Sequence, residues 1–460
     1  MKITVLLKFY RGELNPFDAA ALECALSLGA EVTALTMAPP SALHALEGIT
    51  RLGARAVMLS DNAFAGSDTI ATSYILAEAL RGMEWDAIFA GRQSVDGDTA
   101  QVPPMLAQRL GLPLVRSVMS LGDGSVTTKE GEEIALDEKR IYTFEKIRTL
   151  RFPSIFSKKG SVLTGSLAEL PLSLDMIGLR GSPTRVVRSY ESTVGRRECK
   201  FITREELPEV IRAARERKRV NAGTDIPAEK KAPLVYFVGN IEDTACRYAH
   251  DTVRLEVKCP EELAEEISSL GAATVLFEGR RDIAELAARC AVLLDAGLCA
   301  DCISFRYEDG RFIMTRPALG GDITADIECK SRFTFATVRA PDTTGADMLV
   351  CVGRGASDSI DEVRLLAEAL SAEVVASRTV VDAGLMPYRA QVGQTGRTVC
   401  PAVYLALGVS GAVQHTSAIS ECGTVIAVNT DRSARIFDYA DFGVIGDARE
   451  ISDYLKNNLK

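Results

Sequence analysis

Over the first 120 residues, short apolar runs alternate with stretches whose apolar positions recur at helical spacing. The runs lie at 3–7, 32–36, 57–59 and 87–90, and the helical patterns between and after them at 16–28, 40–52, 69–80 and 104–110. That alternation predicts a parallel sheet covered by helices on both faces. The pattern breaks near Ser120, where Gly122-Asp123-Gly124-Ser125-Val126 reads as a hairpin turn. Residues 150–181 are rich in Pro, Gly and Ser and read as an extended arm. Residues 204–219 carry a charged, solvated helix with Pro208 near its start, and 220–232 read as a linker. A second alternating stretch has strands expected at 234–238, 253–257 and 274–277 and helices at 261–270 and 283–296; it is small for a doubly wound fold and reads as an incomplete sheet. The third opens strand–loop–helix, with 348–352, the turn 353–357 and a helix at 359–370. The fold class is therefore α/β, three units with mainly parallel sheets, the C-terminal one doubly wound. The divisions expected are 1–200, a charged helix and linker at 201–232, then 233–343 and 344–460.

A length of 460 residues suits several cores rather than one. The chain is 47% hydrophobic and 25% charged, with a formal net charge of −9 and no basic stripe, which argues against a nucleic-acid partner. No apolar run approaches the ~20 residues of a membrane helix, and the first eight residues read as a strand, so a cytoplasmic location is expected. Eleven scattered cysteines argue against a disulfide framework. Cys299 and Cys302 form the single C-x-x-C, more simply read as two reduced thiols in a strand than as a redox pair. With three histidines far apart in sequence, no metal site is expected.

The candidate chemistry sits in loops that follow strands, where open α/β sheets bind ligands. Near the C-terminus these are residues 391–396, the loop 408–415 after the run 403–407, and 429–431 after 424–428. They offer small residues, amides, hydroxyls and His415, without an acid/base triad. A planar redox ligand such as a flavin, held by neutral hydrogen bonds, suits that inventory better than hydrolysis does. Arg354 and Arg378 each follow a strand, and a guanidinium beside a reduced flavin would stabilise its anion. A surface ion pair is the plainer reading of either. His415 could donate to the flavin or simply be a satisfied core histidine, and Asp447 could accept from adenine or ribose or cap the last helix. In the first unit, residues 96–101 approach a helix start marked by Pro103 and Pro104, a setting that suits a phosphate. The loop 64–72 is a second polar helix start, and each of the two could equally be mere capping.

Together these motifs resemble the electron transfer flavoproteins. Residues 345–460 resemble the large, FAD-carrying subunit through Arg354, Ser377-Arg378, 381–384, Pro387-Tyr388, 391–396, 410–415, Asn429, Ala440-Asp441 and Gly446-Asp447; residues 315–321 and 336–339 look like the end of that subunit's first domain. Residues 1–190 resemble the small subunit through Asn15-Pro16-Phe17-Asp18, 91–101 and 183–187. The resemblance implies a fusion of the small (beta) and large (alpha) subunits, with the segment 201–232 joining them. It implies FAD contacts at Arg354, Ser377, Arg378, Val392, Gly393, Gln394, Thr395, Val409, Ser410, Gly411, Ala412, Val413, Gln414, His415, Asn429, Asp447 and Ala448. It implies a second nucleotide, AMP or a second FAD, at Leu6, Asn15, Pro16, Phe17, Asp18, Met37, Gly91, Arg92, Gln93, Ser94, Val95, Asp96, Gly97, Asp98, Thr99, Ala100, Gln101 and Val102. Phe64, Asp68, Thr69 and Thr72 join that set, because their loop and the Asp96-Gly97-Asp98-Thr99 form look more like the electron-bifurcating group, in which the nucleotide is a second FAD approached by NADH. The short loop 9–14 and the shortened middle unit depart from the family and put NADH use in doubt. The function implied is an electron carrier between a dehydrogenase, such as an acyl-CoA dehydrogenase, and a quinone- or ferredoxin-linked oxidoreductase. The alternatives are an NADH-oxidising bifurcating enzyme and a nucleotide-binding regulatory protein without redox function.

Overall fold

The protein is described from a computed structural model covering residues 1–122, 124–136, 139–191, 195–216, 226–321, 323–339, 346–393 and 396–458. The chain divides into two compact units. One takes in residues 1–189, 226–319 and 324–339, and the other 190–225, 320–323 and 340–460.

The first unit holds a nine-stranded sheet. In spatial order its strands are Val162–Gly165, Arg55–Leu59, Glu31–Met37, Lys2–Leu7, Ala87–Gly91, Ile141–Phe144, Leu114–Leu121, Ser125–Thr128 and Glu133–Ala135. The first seven pair in parallel, and the last two add antiparallel hairpins. Successive side chains of a strand point to opposite faces. Ile3, Val5 and Leu7 accordingly pack with Ala21, Leu22 and Ala25 of the helix Pro16–Ser27, while Leu6 packs on the other side with Ile75 and Leu80 of Thr69–Arg81. Both faces are covered, so the strand is apolar almost throughout. The Pro/Gly/Ser-rich arm is more than a loop, since its Val162–Gly165 stretch forms the edge strand beside Arg55–Leu59.

The same unit holds a second parallel sheet of five strands, ordered Ala249–Leu255, Ala232–Val238, Ala273–Glu278, Phe333–Val338 and Gly297–Cys302. The expected incomplete sheet is thus completed by two strands beyond the helix Arg281–Leu294. A four-stranded sheet runs Thr184–Glu191, Ile323–Cys329, Arg311–Ala318, Ser304–Glu308.

In the second unit six parallel strands run in the order Lys200–Phe201, Phe442–Ile445, Thr424–Asn429, Val403–Leu407, Met348–Val352, Glu373–Ala376. The chain moves outward from Met348–Val352 to Glu373–Ala376, then crosses back to Val403–Leu407 on the other side. The strand order therefore reverses between Met348–Val352 and Val403–Leu407, the position where doubly wound sheets bind ligands. The charged segment after residue 204 is not solvated all round. In the helix Leu207–Glu216, Leu207, Ile211 and Ala214 recur at four- and three-residue steps and lie in the core of this unit. Upstream, Arg197 pairs with Asp441 and donates to the carbonyls of Cys422 and Gly423, which ties the segment to the sheet.

Candidate functional site

At the C-terminal switch point the two loops meet through glycine. The Gly353 N–H donates to the Leu407 carbonyl at 2.8 Å, and the Gly355 N–H to the Gly408 carbonyl at 3.0 Å. A Cβ on Gly408, which has φ of +64°, would lie 2.5 Å from the Gly355 carbonyl carbon. One on Gly411, with φ of +84°, would lie 2.1 Å from the Ile436 nitrogen. The small residues that suggest room for a ligand are, at these two positions, room for neighbouring backbone.

Around this floor stand the expected contacts. Arg354 is exposed at the start of the turn Arg354–Ser359. Ser377 precedes the short helix Arg378–Asp382, its hydroxyl 3.0 Å from that of Thr379. Arg378 is exposed and its Nε donates to Asp382 at 3.0 Å, the surface pair of the plainer reading. The Val392 N–H donates to the Ala376 carbonyl, which holds the buried Val392-Gly393 turn beside the end of Glu373–Ala376; Gln394 and Thr395 lie outside the described residues. In the run 409–415, Val409, Gly411, Val413 and His415 are buried while Ser410, Ala412 and Gln414 are exposed. Asn429 donates through Nδ2 to the Val409 carbonyl at 2.9 Å and accepts the Asp431 N–H, so it staples two loops. Asp447 accepts the Arg449 N–H at 2.9 Å and caps the helix Ala448–Asn458, in which Ala448 is buried.

His415 differs from the rest. Its Nε2 lies 3.0 Å from the Tyr404 hydroxyl and 4.0 Å from the Cys351 sulfur, in the core. Its buried Nδ1 faces the Val392 backbone without a well-formed hydrogen bond. Burial pushes the imidazole down to about 4, with the nearby Val392 carbonyl opposing the shift. His415 is therefore neutral at physiological pH. A buried ring nitrogen with only that weak contact has hydrogen-bonding capacity left for a ligand. A neutral ring donor, two exposed guanidiniums and the Ser377 and Ser410 hydroxyls form a donor set that fits FAD.

The first unit has a switch point of its own. Its strands progress outward from Lys2–Leu7 through Glu31–Met37 and Arg55–Leu59, then cross to Ala87–Gly91 on the other side. The loops after Lys2–Leu7 and Ala87–Gly91 are laced together. Lys8 Nζ lies 2.8 Å from Asp96 Oδ2, and Asn15 Nδ2 donates to the Gln93 carbonyl at 2.9 Å. The buried Asp18 accepts the backbone N–H groups of Lys8 and Gly91, and desolvation raises its carboxyl to about 7. The Arg92 charge is spent on the buried Glu145 at 2.8 Å, above the ring of Phe17. Residues Gln93 to Ala100 are all half-buried; Gln93 Nε2 donates to Asp98, and Asp98 and Ala100 adopt positive φ. Gln101 is buried, accepts from the Thr69 hydroxyl and immediately precedes the helix Val102–Leu110. Asp68 caps Thr69–Arg81 and accepts the Thr184 N–H and hydroxyl, so it acts as a structural staple. Leu6, Phe17 and Phe64 are buried, while Met37 and Thr72 are half-buried.

Two residues of this region escaped the sequence reading as contacts. Thr36 ends next to the crevice with its hydroxyl buried and unpartnered, as are Asn15 Oδ1 and Asp96 Oδ1. Arg316 is buried with Nε and Nη2 unpartnered, on the strand Arg311–Ala318 whose end is tied to the crevice by the Leu319 N–H donating to the Asp96 carbonyl. The signal was present in Thr315-Arg316-Pro317, since a buried arginine with no acidic neighbour in sequence needs an anion from elsewhere. The C-x-x-C stands in a buried strand, and desolvation raises the Cys302 thiol, the opposite of a reactive thiolate. Among the described residues no cluster of His, Cys, Asp or Glu suits a metal ion, and no helix is long and apolar enough to cross a membrane.

The family model for the electron transfer flavoprotein domain matches residues 3–136 and 256–363, and that for the electron transfer flavoprotein FAD-binding domain matches 342–420. The chain belongs to the electron transfer flavoprotein family. The subunit alpha of Thermoanaerobacterium thermosaccharolyticum is 35% identical over 278 residues, 50% of this chain and 81% of that one. The subunit beta of Clostridium acetobutylicum is 37% identical over 201 residues, 39% of this chain and 76% of its own length. The acryloyl-CoA reductase electron transfer subunit beta of Anaerotignum propionicum is 33% identical over 250 residues, 38% and 68% respectively. The chain is thus a fused beta–alpha electron transfer flavoprotein, with the FAD-binding domain at its C-terminal end.

Proposed function

We propose that this electron transfer flavoprotein carries electrons between a dehydrogenase and a second redox protein through FAD held at the C-terminal switch point. Bound FAD supplies the electron-accepting and electron-donating chemistry; the protein supplies position and electrostatics. The observation that carries this reading is His415, a neutral buried histidine whose Nδ1 makes no well-formed hydrogen bond at the Val392 turn. In this reading His415 and the hydroxyls of Ser377 and Ser410 give neutral hydrogen bonds, and Arg354 and Arg378 give fixed positive charge that favours the reduced, anionic ring. The hydrogen bonds of Gly353 and Gly355 hold the two loops together at the floor.

The first unit, in the same reading, binds a second nucleotide, AMP or FAD, between the Lys8–Asn15 and Arg92–Gln101 loops. The unpartnered Thr36, Asn15 and Arg316 atoms support it. Visible spectra of the purified full chain, with the nucleotides released on denaturation counted, test both sites. One FAD plus one AMP, or two FAD, is the expected inventory; protein that stays colourless after reconstitution overturns the reading in favour of a non-redox nucleotide-binding role.

A second reading, NADH-oxidising electron bifurcation, is favoured by Arg316. A buried guanidinium with two unpaired nitrogens suits an anionic flavin ring as well as a phosphate. Anaerobic NADH would then bleach the bound flavin rapidly. For partners, the relative named for acryloyl-CoA reductase makes an acyl-CoA-oxidising or -reducing enzyme the first to test, with quinone- and ferredoxin-linked oxidoreductases beside it.

A further inference from the structure

Tyr404 lies on the strand Val403–Leu407, fully buried, and its hydroxyl is 3.0 Å from His415 Nε2. The Cys351 sulfur is 4.0 Å from the same nitrogen. Both neighbours stay protonated at physiological pH: burial raises the Tyr404 phenol well above its usual range and pushes the Cys351 thiol to about 12. Two X–H groups therefore converge on one ring nitrogen. A neutral imidazole has one N–H and one lone pair. Were Nε2 to carry the proton, it would donate to the Tyr404 oxygen, and the tyrosine proton would be left with only a sulfur to meet. A buried hydroxyl without an acceptor is unfavourable. With the proton on Nδ1 instead, Nε2 accepts from Tyr404, and the N–H stands at the ring atom beside Val392.

We infer that Tyr404 is a positioning residue: its hydroxyl, donating to Nε2, fixes the neutral Nδ1–H tautomer of His415 and so makes Nδ1–H the donor that His415 offers to the flavin. The last clause rests on the FAD-site reading given above; the tautomer does not. Second hydrogen bonds of this kind decide which nitrogen of a histidine serves a ligand.

Long-range proton–nitrogen NMR of the full chain with labelled histidine tests the tautomer directly, using a His415→Gln sample to assign the signal. The wild-type protein freed of FAD is expected to show Nδ1 protonated and Nε2 as the lone-pair nitrogen. A protonated Nε2 overturns the inference and leaves the FAD-site reading standing. In Tyr404→Phe the balance of the two tautomers is expected to move toward Nε2–H by roughly fivefold, the worth of one net hydrogen bond; an unmoved balance overturns the role of Tyr404. If the variant does not fold, the wild-type spectrum still decides the tautomer. Adding FAD to wild type is expected to shift the Nδ1–H signal. A correct tautomer with no shift removes His415 from the cofactor contacts and counts against the site reading instead. In folded, FAD-loaded Tyr404→Phe the midpoint potential is expected to fall by the equivalent of that fivefold change, about 20 mV for a two-electron couple.

Discussion

Asp18 and Gly91 are joined across the head of the first sheet: Asp18 Oδ1 accepts the Gly91 N–H at 3.0 Å, and a Cβ on Gly91 would lie 2.2 Å from that same oxygen. The glycine is there because the carboxylate is. With Oδ2 on the Lys8 N–H, Asp18 clamps the two strand ends that frame the first unit's switch point.

That clamp makes stability depend on pH. Desolvation raises Asp18 to about 7, whereas an unfolded aspartate titrates near ~4. Between those values the folded protein holds a proton that the unfolded chain gives up. The contribution of Asp18 is therefore fully present below about pH 4 and is lost as pH rises through 7. A shift of this size corresponds to roughly 4 kcal/mol at most. Urea midpoints of the first unit's transition should fall between about pH 5 and pH 8 in wild type and fall less in Asp18→Asn. Equal slopes in the two proteins would remove Asp18 as the source.

Arg316 is a stability liability that a ligand would relieve. A buried cation without full pairing costs several kcal/mol, and an apolar side chain of similar volume is often better tolerated. Arg316→Met should leave the ligand-free protein as stable as wild type or more so, while cutting the affinity of the first unit for the proposed nucleotide by about tenfold or more. FAD at the other site should be retained. Thermal melts with and without added nucleotide, and counts of released nucleotide, check this. A destabilised variant with unchanged nucleotide content would show that Arg316 serves only the fold.

If a redox partner docks on the arm, its exposed apolar side chains are the anchors to test. Phe152, Ile155 and Phe156 are 95%, 85% and 86% exposed within five residues, and Lys158 and Lys159 follow them. Adjacent apolar side chains held in water mark interaction surfaces more often than folding contacts. Replacing all three by Ser should leave melting temperature and flavin content unchanged. Electron delivery to or from an acyl-CoA dehydrogenase should slow by about tenfold or more, as expected when a few apolar anchors carry an interface. Unaltered rates would move the docking surface elsewhere.

Much of the fold was legible because buried parallel strands are written as apolar runs: 3–7, 87–90, 348–352, 403–407 and 424–428 all correspond to strands. Val162–Gly165 was not, since its residues are half-buried or exposed and its strand exists through pairing with Arg55–Leu59. The helix Leu207–Glu216 reads as solvated from sequence because its charges outnumber its three-residue apolar stripe. Loops could be ranked as candidates from sequence, yet the partner of His415 could not. Tyr404 stands in a run buried at every position, where a tyrosine looks like one more core side chain. Only the fold brings its hydroxyl to an imidazole eleven residues later.

Because His415 is neutral above about pH 5, with burial holding it near 4, it cannot supply the fixed positive charge that a reduced, anionic flavin calls for. In the proposed site that charge falls to arginine, and Arg378 is one of the two that follow strands at this switch point. Its bond to Asp382 joins residues four apart on an exposed surface, a pair that contributes little to stability and can rearrange. Arg378→Ala should therefore leave the melting temperature of FAD-free protein unchanged and lower the midpoint potential of bound FAD. Arg378→Lys should recover part of the loss, since it restores the charge but not the planar fork. A redox titration of the alanine variant that overlays wild type would take Arg378 out of the site and turn the test to Arg354.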